Sequence, residues 1–380
     1  MEDYYDRIDE LNALKREFSY ILIRPRYPSP RCFHLWHREF RMTNTNPTSL
    51  GSKRFTEPRG YEYVSSDLLQ FFSMRFAGDF SHGEKMSIYG FVAVRDKIDC
   101  LRNYIFYRSS DHAQEITPDA RDLLLIPPAR GISGTYRIIV EYCLKVKSNG
   151  SDAYEEDGML MDGCFEFKQS GMAPKVQMHK VRLFGPLGPL DTRFALFRFA
   201  VEATIDVRVK RAIAGYSLSM VTACTCGFLE EIVLYSASAD DRMKDGRLSS
   251  SVVAVASAVM AVELGCELKL TFEIASPSEE RGCGLGRHVR KSTHHELRFT
   301  AQKHKSSKGA IAMGRMFKLA ANVTWSTMGN RYSPFFSYGH TLAWPSEWPV
   351  LLLNIGQTYI ASYIFLYRWR PGRFLFGPIV

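Results

Sequence analysis

Between residues 201 and 210 the chain alternates strictly, with Val201, Ala203, Ile205, Val207 and Val209 on one side and Glu202, Thr204, Asp206, Arg208 and Lys210 on the other. Successive side chains of a strand point to opposite faces of a sheet, whereas a helix of about 3.6 residues per turn would scatter both sets. This is the pattern of a strand with one face buried and one solvated. It recurs at 136–147 (Tyr136, Ile138, Val140, Tyr142, Leu144 and Val146 against Arg137, Glu141, Lys145 and Lys147) and at 266–274, with shorter versions at 72–76, 92–95, 297–300 and 317–325. Turn residues such as Ser148-Asn149-Gly150, Gly185-Pro186 and Asp245-Gly246 separate the strands. Long helical patterns do not alternate with them, which excludes crossover units and a parallel sheet. The expected fold is therefore mainly β, an antiparallel β-sandwich or barrel-like single large domain over residues 66–327, closed on one core. The Ala- and Val-rich run at 250–263 fits a buried strand or a buried helix equally.

The flanks read differently. Ile8, Leu11, Leu14, Phe18 and Leu22 fall three or four apart, which predicts an N-terminal amphipathic helix over 3–22. Residues 24–60 carry five prolines and no periodicity, the composition of a linker or extended arm, so residues 1–65 form a helix and a Pro-rich linker ahead of the domain. Residues 328–380 read as an apolar, poorly ordered tail. Within it 348–367 has no formal charge and the length of a membrane segment, but Asn354, Gly356, Gln357, Thr358 and Ser362 dilute it. Arg368, Arg370 and Arg373 follow on its C-terminal side, which by the positive-inside rule would send the β-domain across the membrane. A membrane contact through 348–367 is therefore the alternative reading, not the leading one.

With 46% hydrophobic and 23% charged residues the chain can bury a sizeable core. Its eight cysteines include no Cys-x-x-Cys pair, so reduced thiols and a cytoplasmic or nuclear location are expected, and the acidic start Met1-Glu2-Asp3 does not resemble a signal peptide. The formal charge of +9 is concentrated at 281–308, where eight Lys or Arg face one acid, Glu296. Arg287, Arg290, Lys291, Arg298, Lys303, Lys305 and Lys308 are accordingly the candidate anion- or nucleic-acid-binding residues, against the plainer reading of a solvated loop between two strands. Phe299 is the one aromatic near them, which gives little for stacking on bases.

Catalytic motifs are missing. Gly282-Cys283-Gly284-Leu285-Gly286-Arg287 lacks the Lys-Ser/Thr ending of a phosphate-cradling loop. Cys32, His34 and His37, or His288, His294 and His295, are the residue types that hold zinc, but without the paired spacing of structural sites. Cys224 and Cys226 share a strand face and are expected to pack. Asp111-His112 lies in a turn-like stretch with no nucleophile elbow elsewhere. Glu202 and Asp206 are about 13 Å apart on one strand, too far for a glycosidase pair, and cross-strand pairing with cations such as Arg208 is the expected role. No catalytic residue, no metal and no cofactor is assigned.

Several segments together resemble a plant family, common in grasses, known as domain of unknown function 6598. They are Arg54-Phe55-Thr56-Glu57, Leu69-Gln70-Phe71-Phe72-Ser73-Met74-Arg75-Phe76, Tyr89-Gly90-Phe91-Val92-Ala93-Val94-Arg95-Asp96, Ile105-Phe106-Tyr107-Arg108, Ile126-Pro127-Pro128-Ala129-Arg130-Gly131, Val201-Glu202-Ala203-Thr204-Ile205 and Asn322-Val323-Thr324-Trp325-Ser326, in order over about 55–327. The resemblance implies a β-rich domain without established activity, found in some members beside a ribosome-inactivating domain, and hence a defence or stress setting. No stretch here resembles that enzyme's active-site helix. The expected function is a non-catalytic binding module with a protein partner. The alternatives are an RNA-directed activity related to rRNA N-glycosidases and polyanion or RNA binding through 281–308.

Overall fold

The structure is a computed structural model of the chain, and it describes residues 23–24, 26, 35–58, 63–80, 85–148, 157–168, 176–225, 228, 230–237, 253–277 and 290–330. The expected helix at 3–22, the loop at 278–289 and the segment at 348–367 lie outside these residues.

In chain order the elements are β1 (Ile23–Arg24), helix α1 (Leu35–Glu39), β2 (Tyr63–Val64), β3 (Ser66–Phe76), β4 (Met86–Arg95), β5 (Asn103–Arg108), β6 (Gln114–Ile116), β7 (Ile132–Ser133), β8 (Ile138–Val146), β9 (Gly158–Phe167) and β10 (Gln177–Leu183). They continue with β11 (Leu190–Ala212), β12 (Ser217–Thr225), β13 (Ile232–Ser236), β14 (Val253–Glu263), β15 (Glu267–Pro277), β16 (Arg290–Thr300), β17 (Ser306–Met313), β18 (Phe317–Ser326) and β19 (Gly329–Asn330). Every pairing among the described strands is antiparallel, in keeping with alternation that buries one face of each sheet. The ambiguous run at 250–263 is a strand, β14.

The sheets are open, so the fold is a sandwich and not a barrel. Sheet A takes the order β1-β9-β8-β4-β5, with β6 also on β4. The central sheet is organised on β11, which pairs β3 and β10 over its first half and β14 and β18 over its second, with β17 beyond β18. A third sheet runs β13-β12-β15-β16. The expectation of one core is corrected. Sheet A packs on the first half of the central sheet around Phe71, Phe76, Phe106, Tyr142, Phe165 and Phe194. The third sheet packs on the second half around Val201, Ile205, Phe272, Phe317, Val323 and Trp325. A strand of 23 residues is long enough to serve two sandwiches in turn, which local periodicity cannot show.

The join is a bulge. Phe197 pairs Leu68 and Ala200 pairs Ser66, so β11 carries one extra residue, and Phe199 there sits at φ 49°, 65% exposed. The extra residue inverts the parity. Leu190, Phe194 and Leu196 before it, and Val201, Ala203 and Ile205 after it, are thereby turned to the same side of the central sheet and fill the two cores.

The segment expected as a linker is packed on the domain over 35–58. Phe40 and Met42 are buried against Ile139 and Cys164. The backbone N–H of Thr48 donates to the Arg102 carbonyl, that of Lys305 to Thr56, and that of Phe55 to Ser326 Oγ. Its proline content reflects an extended path, not an absence of contacts. Cys266 is disulfide-bonded, while Cys100, Cys143 and Cys224 carry free thiols. The expectation of fully reduced thiols therefore fails at Cys266, because a search for Cys-x-x-Cys spacing does not see pairing across a fold.

Candidate anion-binding surface

Two groups of charged residues stand out, one buried and one exposed. The buried group is structural. Glu141 is fully buried and accepts from Arg95 Nε at 2.9 Å and Arg102 Nε at 3.1 Å. Burial disfavours its charge, but the hydrogen bond from Arg102 and the charges of Arg95 and Arg102 outweigh that, and its pKa lies below the ordinary carboxylate value. Arg95 spends its remaining N–H groups on the arm and its neighbouring loop, donating to the carbonyls of Asn44 (2.8 Å), Cys100 (2.9 Å), Phe40 (3.3 Å) and Arg41 (3.3 Å). Arg130 grips Asp96 with both terminal nitrogens, at 2.6 and 2.8 Å, and reaches Asp99 at 3.1 Å. Apart from Arg130 Nε, which is buried without a hydrogen-bond partner, the polar atoms of this network bond one another and backbone, so they hold the arm on the domain and offer little to a substrate.

Glu202 and Asp206 belong to the same system, and the expected cross-strand pairing with Arg208 is corrected. Glu202 is 1% exposed and accepts the backbone N–H of Lys53 at 2.8 Å and of Gly131 at 2.7 Å. Burial raises its pKa despite those hydrogen bonds. Asp206 pairs Lys53 Nζ at 2.7 Å and accepts from Ser257 Oγ at 3.0 Å. Lys53 reaches both carboxylates because the arm crosses this end of the sheet, Ser257 stands directly across from Asp206 on β14, and Gly131 precedes β7.

The exposed group lies farther along the same outer face. Arg208 stands across from Ala320 of β18, which stands across from Ala310 of β17, and Asn322 stands across from Lys308. A second bulge in β11, between Val209 and Arg211, puts the consecutive residues Lys210 and Arg211 around one depression. Arg211 is then directly opposite Lys318. A like-charge pair in this position costs folding energy, typically a few tenths to about 1 kcal/mol. The depression, about 600 Å³, is floored by Gly309, Ala310 and Ala320 and rimmed by Lys210, Arg211, Lys308 and Lys318. These four cations and Arg208 are exposed. None of the five forms an ion pair with a described residue, and among the described residues the one acid on this part of the face, Asp206, is already neutralised by Lys53. Lys308 lies opposite Asn322, four residues from Lys318, so the rim cations span roughly 13 Å at about 3.3 Å per residue.

The seven residues singled out in sequence do not form one surface. Arg287 lies outside the described residues, and Arg290 and Lys291 begin β16. Arg298 is on the outer face of the third sheet, held by Glu267 at 3.2 Å and Glu296 at 3.1 Å. Lys303 and Lys305 occupy the exposed turn before β17. Only Lys308 reaches the depression. Arg208, Lys210, Arg211 and Lys318 were missed because strand register, not sequence proximity, assembles them. The break in alternation at Lys210-Arg211 was the one available signal.

Other candidate sites are thinner. Among the described residues no three His, Cys, Asp or Glu side chains cluster as metal ligands, and Cys32, His34 and His288 fall outside them. Asp111 and His112 sit in an exposed turn where His112 Nδ1 meets Ser109 Oγ at 3.1 Å. A second concavity, lined by Phe71, Ile105, Ile126, Pro128 and Val259 among others, holds about 40 Å³, far below the several hundred of a small-molecule site. No helix among the described residues is long and apolar enough to cross a membrane.

The family model described as Domain of unknown function (DUF6598) matches residues 68–319. The chain belongs to the DUF6598 family. No curated protein matches it. Two solved structures of human GIVD cytosolic phospholipase A2, one in complex with methyl gamma-linolenyl fluorophosphonate, align at 11% and 8% identity with TM-scores of 0.20 and 0.21. Each alignment covers 70% of this chain, which spans only a third of the enzyme's length, and likeness at that level carries no argument. The DUF6598 match ends at residue 319, so it includes Arg208, Lys210, Arg211, Lys308 and Lys318.

Proposed function

We propose that this DUF6598 domain is a non-catalytic binding module that takes an anionic, phosphate-bearing partner on the outer face of β11, β17 and β18. The observation that carries this is the Arg211–Lys318 juxtaposition. The fold tolerates two cations directly opposed, beside Lys210 and without an acid, where either could be exchanged for a stabilising Glu. Clefts walled by one sign of charge concentrate counter-ions and speed their capture. A cytoplasmic or nuclear location and a role in plant defence or stress, both expected from sequence or resemblance, belong to this proposal, as does a protein partner that itself carries phosphates.

The test separates binding from folding. With inorganic polyphosphate as probe, affinity should fall linearly with the logarithm of salt concentration, by analogy with polyanion binding that releases counter-ions. Lys318→Glu should lower both affinity and slope while raising thermal stability, since it gives Arg211 an opposite charge. Arg298→Ser, on the third sheet, should leave the slope unchanged. If Lys318→Glu binds polyphosphate as the parent does, the proposal fails. The rival class, an rRNA N-glycosidase, would reveal itself as depurinated ribosomes after incubation with the purified chain, and we expect none.

A further inference from the structure

The end of β11 leads into a turn, and the hairpin joining β17 and β18 ends beside it. Ile213 N–H donates to the Met316 carbonyl at 3.0 Å, so the two turns are tied into one tip. Their geometry is set by glycine. Gly314 at φ 56° takes the first central position of the hairpin turn, and Gly215 at φ 88° the second central position of the 213–216 turn, each closed by a backbone bond. Ile213 is 43% and Met316 46% exposed on this tip. Lys210, Arg211, Arg315 and Lys318 lie within three residues of one or the other in sequence, all exposed, and none of the four pairs with a described acid.

Single exposed aliphatic side chains need no explanation, but two on adjoining turns within a basic collar form a pattern that soluble phosphate does not use. We infer that this tip is a membrane-docking edge, in which Ile213 and Met316 enter the interfacial zone of an anionic bilayer while Lys210, Arg211, Arg315 and Lys318 engage lipid phosphates. The inference deepens the proposed function, because the same cationic face would then lie against headgroups, with Arg208 and Lys308 farther from the tip. No aromatic side chain lines the depression, which leaves single-stranded nucleic acid without a stacking platform and favours a surface of phosphates over a string of bases. Charge complementarity commits the occupant to an acidic lipid surface. Basic residues near such a surface contribute about 1 kcal/mol each, and the effect decays within a Debye length.

Flotation of the full chain with phosphatidylcholine vesicles, with and without phosphatidylserine, tests this. Binding should need phosphatidylserine and weaken with salt. The variant Lys210→Ser/Arg211→Ser/Lys318→Ser should lose roughly 100-fold in affinity, three charges at about a factor of five each. Ile213→Ser/Met316→Ser should lose roughly 10-fold or more on vesicles yet keep its affinity for inorganic polyphosphate, which separates insertion from phosphate binding. Phe184→Ser/Leu187→Ser, exposed apolar residues at the opposite end of β11, serves as the control and should bind as the parent does. Ile213→Trp should shift its fluorescence to the blue on anionic vesicles alone. Polyphosphate binding without vesicle binding would overturn the docking edge and leave the cationic face standing; loss of both would overturn the two together. Vesicle binding unaffected by the two tip variants would place the contact elsewhere and also overturn it.

Discussion

Replacing Glu141 by Gln should be strongly destabilising. The substitution keeps the shape of the side chain but removes the charge that Arg95 and Arg102 face at 2.9 and 3.1 Å, with Arg26 at 3.5 Å. Arg95 and Glu141 are both fully buried, so the guanidinium cannot turn to water. Breaking one side of such a pair typically costs about 3–5 kcal/mol, because the remaining charge is left uncompensated. Against a total stability of roughly 5–15 kcal/mol that is a large fraction. At a urea m-value near the upper end of the usual ~1–3 kcal/mol/M, the midpoint should fall by about 1–2 M with m unchanged. The pH dependence supplies a second readout. The folded pKa of Glu141 is depressed, so its contribution is fully present above the ordinary carboxylate pKa of 4.5 and is lost as pH falls below it through the folded value. The variant should therefore lose part of the parent's acid destabilisation as well as its plateau. Glu296→Gln, on an exposed pair, should leave the urea midpoint where it is. A midpoint shift in Glu141→Gln as small as that control would refute the idea that the arm is held by a desolvated charge centre.

Three further substitutions probe other parts of the fold. Gly90 has φ 114°, and a Cβ there would lie 2.1 Å from the Cys143 carbonyl oxygen across the β4–β8 ladder, so Gly90→Ala should abolish soluble folded protein, read by expression and circular dichroism. Phe199→Gly should raise the melting temperature, since it relieves a left-handed conformation worth about 1 kcal/mol or more in a side chain that is mostly in solvent; a fall would mean Phe199 packs on something in solution. His179 is buried against Phe167 and Phe194, and burial lowers its pKa. Its folded pKa being below the unfolded one, stability is whole above about 6.5 and declines as pH drops beneath it, so His179→Phe should flatten the urea midpoint between pH 6.5 and 5.

How much of this was legible in the sequence depended on the range of the interaction. The Val201, Ala203, Ile205 row faces the core as alternation predicts, because a strand's two faces are a property of neighbours in sequence. That β11 begins at Leu190 was hidden, because the extra residue at Phe199 breaks the period in the middle of one strand. Glu202 and Thr204 belong to the polar row yet are 1% and 2% exposed, since alternation says which side a residue takes and not whether an arm from far upstream covers that side. The arm itself was read as linker because prolines suppress periodicity, and its anchors are backbone carbonyls and N–H groups that leave no mark on composition.

The charge distribution follows the same logic, and it links the arm to the proposed site. A run of basic residues at 281–308 is the obvious polyanion candidate in a linear sequence, yet β15 supplies Glu267 against Arg298, and within β16 itself Glu296 takes the same guanidinium. The uniformly positive face forms instead where β11, β17 and β18 bring together residues about a hundred positions apart. It is uniform because Lys53, carried by the arm, neutralises Asp206 at 2.7 Å. Without the arm that aspartate would stand two residues from Arg208 on the same face and draw the nearest cations toward it. The buried Glu141 centre that pins residues 40–44 therefore does more than stabilise. By holding the start of the arm, it fixes the path that delivers Lys53 to Asp206, and so keeps the exposed cations free for a partner outside the molecule.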